Sequence, residues 1–343
     1  MHAVLAVVLA AAISAGAILA LFPLMRRYAL ARPNARSSHR EPTPQGGGIA
    51  VVLATLLVAT GLGAVVAPDG VLGAPFLVLV AATIALACIG AVDDIRPLPV
   101  VPRLTAQAIA VAASVAAAAS EARVLGDGFG LPVPPGVEIV LGTLAGLWFV
   151  NLVNFMDGLD WITCAAMVPI VLALGLFSLA GALDPLPGLL AFALAGALLG
   201  FAPFNKPVAR LFLGDVGSLP IGLLVAWLLY ALASGGHVAA AIVLPLYHCA
   251  DATLTLLRRL ARGERVWEAH RTHFYQRATD NGHSPLAVST TVFGLGIALA
   301  LIAAATIAWP GLATDLVALL AAGALVAACL AFFARKRVPA TSP

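Results

Sequence analysis

The fold this sequence predicts is an all-α polytopic membrane bundle of about 11 transmembrane helices, and three observations predict it. Of its 343 residues, 62% are hydrophobic and only 10% are charged, whereas a soluble domain carries about 25% charged residues. The apolar residues are gathered into runs of about 20, the length at which a helix crosses a hydrocarbon core. The basic residues fall on alternate connections between those runs.

Taken in order, the candidate spans are 2–24, 47–66, 74–92, 104–120, 136–154, 162–181, 187–203, 218–234, 239–257, 287–309 and 314–333. The first run has the length of a span rather than of a signal-peptide core, and no basic segment precedes it. It is therefore expected to remain as the first helix. The fourth is the least apolar, being mostly alanine. The 32 glycines, with many alanines, suit close helix packing in lipid, where burial of apolar surface gives little drive. Cys88, Cys164, Cys249 and Cys329 lie scattered in apolar runs without a CxxC spacing, so they are expected to be small hydrophobes rather than disulfides or zinc ligands. No linker or soluble segment divides the chain, which is expected to form a single membrane domain over 1–343.

Charge sets the expected orientation. Connections 25–46, 93–103, 155–161, 204–217 and 258–286, with the tail 334–343, hold 18 of the 19 lysines and arginines, and Arg123 alone lies on the other side. The positive-inside rule makes the first set cytoplasmic, with the N-terminus outside and the C-terminus inside.

The acidic residues that interrupt this apolar chain stand at the cytoplasmic ends of spans. NFMDGLD (154–160) follows the fifth run, DDIRPLP (93–99) follows the third, and LFLGDVGS (211–218) opens the eighth. Charge beside a bilayer is costly, so such clusters mark function by default. Adjacent carboxylates such as Asp93 and Asp94 are best tolerated beside a divalent cation or with one of them protonated. Asp215, on a glycine-flanked turn, offers hard oxygen donors of the kind Mg²⁺ prefers. The first loop carries PTPQGG (42–47) followed by Gly48; its prolines stiffen the chain, and the triple glycine 46–48 would let backbone N–H groups approach an anion.

The last long loop holds six arginines and the stretch HRTHFYQ (270–276). Guanidinium forks with an interleaved aromatic suit a diphosphate and a ring. A zinc site at His270 and His273 lacks further soft ligands, and one basic loop on a polytopic chain does not make a nucleic-acid protein. His2, His237 and His283 are expected at surfaces or interfaces. Asp251, inside the ninth run with His248, is expected to face a polar cavity or to pair with a base such as Arg258.

Laid side by side, these motifs resemble those of the polyprenyl-phosphate N-acetylhexosamine-1-phosphate transferases, over nearly the whole chain. PTPQGG, the Asp93–Asp94 pair, NFMDGLD, FLGDVGS (212–218) and HRTHFYQ match the family's blocks in order. The last is similar to the O-antigen-initiating branch rather than to the triple histidine of the peptidoglycan branch. One departure is Trp161, where the family has glycine.

The resemblance implies transfer of an N-acetylated sugar-1-phosphate from a UDP-sugar, such as UDP-GlcNAc, to undecaprenyl phosphate, giving a lipid diphosphate and UMP. It implies a multi-pass protein of the bacterial inner membrane, dependent on Mg²⁺ with Mn²⁺ as the alternative ion, and allows a homodimer. Both substrates are anionic, so catalysis rests on charge neutralisation and positioning.

By residue, the resemblance makes Asp215 the metal ligand, with Asp93 and Asp94 assisting the metal or activating the lipid phosphate; Asp94 is the expected second ligand. Asn154 and Asp157 hold the metal–diphosphate region, and Asp160 and Phe212 line the uracil pocket. His270, Arg271 and His273 grip the diphosphate, and Arg40 and Thr43 bind substrate from the first loop. Direct attack by the lipid phosphate is expected, since it is already ionised near neutral pH. The alternative, a cation-coupled secondary transporter, would place its carboxylates near the bilayer midplane on broken, repeated helices.

Overall fold

The computed structural model describes residues 1–31, 42–265 and 270–336, and it is an all-α polytopic bundle. Ten of its helices are long and apolar enough to cross a membrane among the described residues. They are α1 (His2–Tyr28), α2 (Gly48–Val66), α4 (Ala74–Ile95), α5 (Val100–Ala119), α6 (Pro135–Phe155), α7 (Ile162–Leu179), α8 (Pro185–Asn205), α9 (Asp215–Ser234), α13 (Pro285–Ala308) and α14 (Leu312–Ala334). Short helices fill the rest: α3 (Pro68–Leu72), α10 (Val238–Val243), α11 (Leu246–Ala261) and α12 (Phe274–Asp280).

The expected ninth span, 239–257, is not continuous. It divides into α10 and α11 at Leu244 and Pro245. Proline has no N–H to give and its ring crowds the preceding turn, so the ladder breaks there. α11 then carries Asp251, Arg258 and Arg259 through only 16 residues, too polar and short to match its neighbours.

Two helices organise the packing. α8 lies against α1, α2 and α7, and α9 against α2, α4 and α6. Both are buried along most of their length, whereas α1, α13 and α14 present leucines such as Leu19, Leu301 and Leu320 outward. Outward leucines on long helices are the side chains a lipid environment accepts. All four cysteines are free; Cys164 and Cys329 are buried as small hydrophobes, whereas Cys88 is exposed on the outer side of α4.

Three boundaries matter for the site. α4 runs on to Ile95, so Asp93 and Asp94 sit in its last turn rather than beyond it. α5 begins at Val100, which places Arg103 in its first turn. α9 begins at Asp215 itself, where a carboxylate is favoured by the partial positive charge of a helix N-terminus. Between α1 and α2, the strands Leu30–Ala31 and Thr43–Pro44 pair antiparallel, and Gln45 bridges in parallel to Phe212.

Candidate active site

The three acidic stretches do converge, and the glycines explain how closely. Gly48 at the start of α2 and Gly217 in the first turn of α9 meet backbone to backbone, with no room for a Cβ on either. That contact sets the PTPQGG strand against 212–213. The Phe212 N–H donates to the Pro44 carbonyl (2.8 Å), the Gly47 N–H to the Phe212 carbonyl (2.9 Å), and the Gly48 N–H to the Leu213 carbonyl (2.9 Å). The expectation that these glycine amides would receive an anion is thus corrected for Gly47 and Gly48, whose N–H groups are already used. The Gln45 amide reaches across to the Asp94 carbonyl (2.7 Å). Thr43 is buried in the short strand pair, and Arg40 lies outside the described residues.

Asp93 and Asp94 are adjacent in sequence but about 100° apart around the helix, and they have different partners. Both oxygens of Asp94 accept backbone N–H groups from the first turn of α9, those of Asp215 (2.9 Å) and Val216 (3.1 Å). Gly214, the residue before α9, has no side chain to cap it and adopts φ +76°, and a Cβ there would meet the Asp94 carboxylate. Asp94 therefore caps a helix to which it does not belong.

Asp93 turns the other way. It accepts the Leu98 N–H (2.6 Å) and the Arg103 guanidinium (2.5 Å). Asp215 accepts the Asn154 amide (2.7 Å), which in turn is held by Ser218 (2.9 Å). Arg103 stands 3.9 Å from Asp215.

The Arg103 guanidinium thus reaches both the Asp93 and the Asp215 carboxyl, and carboxyls gathered in this way favour positive charge beside them. One or two protein carboxylates, with phosphates and water completing the shell, is also the donor set Mg²⁺ takes. The residues therefore fit the expected ion. Asp94 and Asp93 both stand beside Asp215, the first through the amides of α9 and the second through Arg103, and each of their oxygens keeps a second lone pair.

Asp157 lies in the turn between α6 and α7 and accepts the Thr163 hydroxyl (2.5 Å). Burial pushes its carboxyl up to about 7; the charges of Asp215, Asp94 and Asp160 add to the push, and the Thr163 hydroxyl opposes it. Asp160 is buried, its carboxylate accepting the Ala209 N–H (3.0 Å) and its carbonyl accepting the Ser289 hydroxyl (2.8 Å). These bonds tie 205–211 and α13 to the site. Phe212 is half-buried.

Trp161 carries the one positive φ, +64°, among described non-glycine residues, which accounts for a glycine being favoured there. Its N–H donates to Asn205 (2.8 Å) and its indole N–H to the Ala202 carbonyl (2.6 Å).

The HRTHFYQ stretch docks onto the same cluster through Tyr275, whose hydroxyl donates to the Phe155 carbonyl (3.1 Å) and leaves no room for a Cβ on Gly158. His273 is buried at the start of α12, its ring 3.3 Å from Asp251. Asp251 accepts the N–H groups of Phe274 (2.9 Å) and Tyr275 (3.1 Å), a second helix cap supplied from elsewhere in the chain. The base beside it, of the kind expected, is His273 rather than Arg258, whose guanidinium lies over the Phe274 ring, 4.4 Å from its centroid.

Arg271 is held by Thr279 (3.0 Å) and by the exposed Asp280 (3.2 Å), beside the half-buried His270. His283 is buried against Phe332 and Phe333 of α14, at an interface rather than a surface. Sequence reasoning missed Arg103, which it counted only as a topology charge. The available signal was its position ten residues after Asp93, at the start of the next helix.

The profile of Glycosyl transferase family 4 matches residues 76–233, which spans all but the first and last of the five motifs. A decaprenyl-phosphate N-acetylglucosaminephosphotransferase of Mycolicibacterium smegmatis is 30% identical over 304 residues, 76% of this chain and 71% of that protein. The protein of the same name from Mycobacterium leprae is 29% identical over 300 residues, 78% of this chain and 74% of its own. A phospho-N-acetylmuramoyl-pentapeptide-transferase from a Synechococcus strain is 35% identical over 234 residues, 62% of this chain and 66% of that one. The secondary-transporter alternative finds no support in these relationships, nor in carboxylates that gather at helix ends. With its motifs converging on one acidic cluster, the chain belongs to glycosyl transferase family 4, among the polyprenyl-phosphate N-acetylhexosamine-1-phosphate transferases.

Proposed function

We propose that this protein transfers GlcNAc-1-phosphate, or a closely related N-acetylhexosamine-1-phosphate, from its UDP-sugar to undecaprenyl phosphate. The reaction starts a cell-surface polysaccharide such as an O-antigen, at the cytoplasmic side of a bacterial inner membrane. The observation that carries this reading is the convergence of Asp93, Asp215 and Asn154 from three helices, with the arginine-bearing loop docked beside them through Tyr275. Relatives matched over 78% and 76% of the chain are named for N-acetylglucosamine, which favours UDP-GlcNAc as donor, while one matched over 75% is named for phospho-N-acetylmuramoyl-pentapeptide. The basic residues, 18 of 19 on one set of connections, support the cytoplasmic placing.

An oxygen of the lipid phosphate attacks the sugar-side phosphorus of the donor diphosphate. The bond from that phosphorus to the bridging oxygen breaks, and UMP leaves with the electron pair. Asp215, with Asp93 and Asp94 beside it, would hold Mg²⁺, which when bound supplies positive charge to the diphosphate oxygens. Asn154 fixes the Asp215 carboxylate, and Arg103 fixes Asp93 while bringing a cation to the cluster. Arg271 and His270 approach the diphosphate from the docked loop.

An apolar cavity of about 460 Å³ between α5, α6, α9 and α10–α11 is walled by Val115, Trp148, Leu223 and Trp227 among others. Val111, two turns along α5 from Arg103, lines its near end, and Glu138 at the start of α6 its far end, so hydrocarbon-sized space runs through the middle of the bundle. This supports an acceptor with a long hydrocarbon chain. Purified protein given UDP-GlcNAc, undecaprenyl phosphate and Mg²⁺ is expected to release UMP and form the lipid diphosphate. Absence of both products across a panel of UDP-N-acetylhexosamines would refute the proposal.

A further inference from the structure

A second cavity, a polar one, lies apart from the Asp93–Asp215 cluster. It has a volume of about 300 Å³ and is lined by Thr255, Arg258, Arg259, Arg262, Thr272 and Arg277. Four guanidinium groups around one small space repel each other unless anionic oxygens lie between them. Arg259 has Glu264 (2.8 Å), and Arg258 rests on Phe274. Among the described residues, neither Arg262 nor Arg277 has a carboxylate in ion-pair contact, and both are exposed.

Position distinguishes this cavity from the transfer site. α12 separates the two. Tyr275 points its hydroxyl at Phe155, while Arg277, about 200° further round the same helix, lines the cavity. On α11, Arg258 and Arg262 are one turn apart, and the adjoining side of the helix carries Leu254, Leu257 and Leu260, exposed by 40%, 54% and 62%. An arginine row beside an outward leucine row is the pattern of a helix lying at a membrane surface, its basic side chains at the level of the headgroups.

We propose that this cavity binds the phosphate of an anionic phospholipid, with the acyl chains along Leu254, Leu257 and Leu260. The Arg262 and Arg277 forks would grip the phosphate oxygens, with the Thr272 hydroxyl at the rim. A guanidinium suits this task because its planar donors bridge two oxygens at once. A soluble phosphate offers the same oxygens but makes no use of the leucine row. The inference rests on the membrane location of the chain and not on the transfer reaction.

Native mass spectrometry of the full-length protein in detergent, titrated with phosphatidylglycerol or phosphatidylcholine, tests it without reference to activity. One phosphatidylglycerol should be retained in preference to phosphatidylcholine. Arg262→Gln with Arg277→Gln should weaken that retention roughly tenfold to thirtyfold, at about 1 kcal/mol per basic residue. The Arg262→Lys, Arg277→Lys protein keeps the charge and should fall between the two. Arg26→Gln with Arg27→Gln, an equal loss of charge at the end of α1, should leave retention unchanged. Equal weakening by the α1 pair would mean a diffuse field and no site, and displacement of the lipid by millimolar inorganic phosphate would assign the cavity to a soluble anion. Either result overturns the proposal.

Discussion

The Asp94 carboxylate accepts the backbone N–H of Asp215 at 2.9 Å, across 121 residues of sequence, and so fixes the helix start on which Asp215 is carried. Asp94, expected as a second ligand beside Asp215, also aims it. Losing a side-chain cap costs about 0.5–2 kcal/mol, and Gly214 cannot supply a replacement. Asp94→Ala should therefore lower thermal stability by that amount and reduce turnover, with Asp94→Asn milder in stability because its amide oxygen still accepts one N–H. Gly214→Ala should be at least as damaging, since it adds backbone strain and a clash with Asp94. Melting curves and UMP release on the three variants check the ordering; an Asp94→Ala protein as stable as the parent would remove the cap from the account.

Asp215→Asn should fold normally and lose nearly all turnover. Its partner at Asn154 tolerates an amide, whereas a divalent cation loses its carboxylate. Titrating UMP release against Mg²⁺ separates the cases, and near-normal activity at low Mg²⁺ would show that Asp215 is not a ligand.

Asp157 has a carboxyl raised to about 7 by burial. If transfer requires its ionised form, kcat/KM should fall as pH drops below about 7. The Thr163 hydroxyl favours the ionised carboxylate, so Thr163→Val should raise the pKa and carry the acid limb to higher pH. A hydrogen bond worth about 1 kcal/mol moves that limb by roughly 0.5–1 pH unit. A limb that stays in place, or moves down, separates Asp157 from the rate.

Arg271→Lys should reduce kcat/KM for the UDP-sugar roughly tenfold to a hundredfold, on the order of 1.5–3 kcal/mol for a hydrogen bond to a charged group, with little change for undecaprenyl phosphate. Arg262→Lys should do little to either. Asp280, the exposed carboxylate on Arg271, competes for the same guanidinium, so Asp280→Asn should leave donor use intact or improve it. Steady-state kinetics varying each substrate in turn decides the matter, and equal small losses for Arg271→Lys and Arg262→Lys would reduce the loop to a diffuse positive field.

The orientation predicts thiol accessibility. In a background without the native cysteines, Pro97→Cys and Gly263→Cys should resist impermeant reagents in intact cells, while Gly126→Cys should react. Comparable labelling at all three positions contradicts a cytoplasmic site.

Hydropathy and charge are sums over neighbouring residues, and what they specify was legible without coordinates. The ten long helices, the gathering of acids at their ends and the ordered motifs that announce the family all belong to that class. Pro245 was a local signal too, and it breaks the ninth run where a count of apolar residues passed over it. What local sums cannot contain is the direction a side chain takes among partners distant in sequence. Asp93 and Asp94 look equivalent on paper. The turn between them sends one to Arg103 and the other to the amides of α9. Asp251 finds the start of α12 instead of Arg258, and Asp160 turns inward to the Ala209 N–H. Each choice satisfies donors or acceptors that would otherwise be buried without partners, and only the packed bundle determines which ones those are.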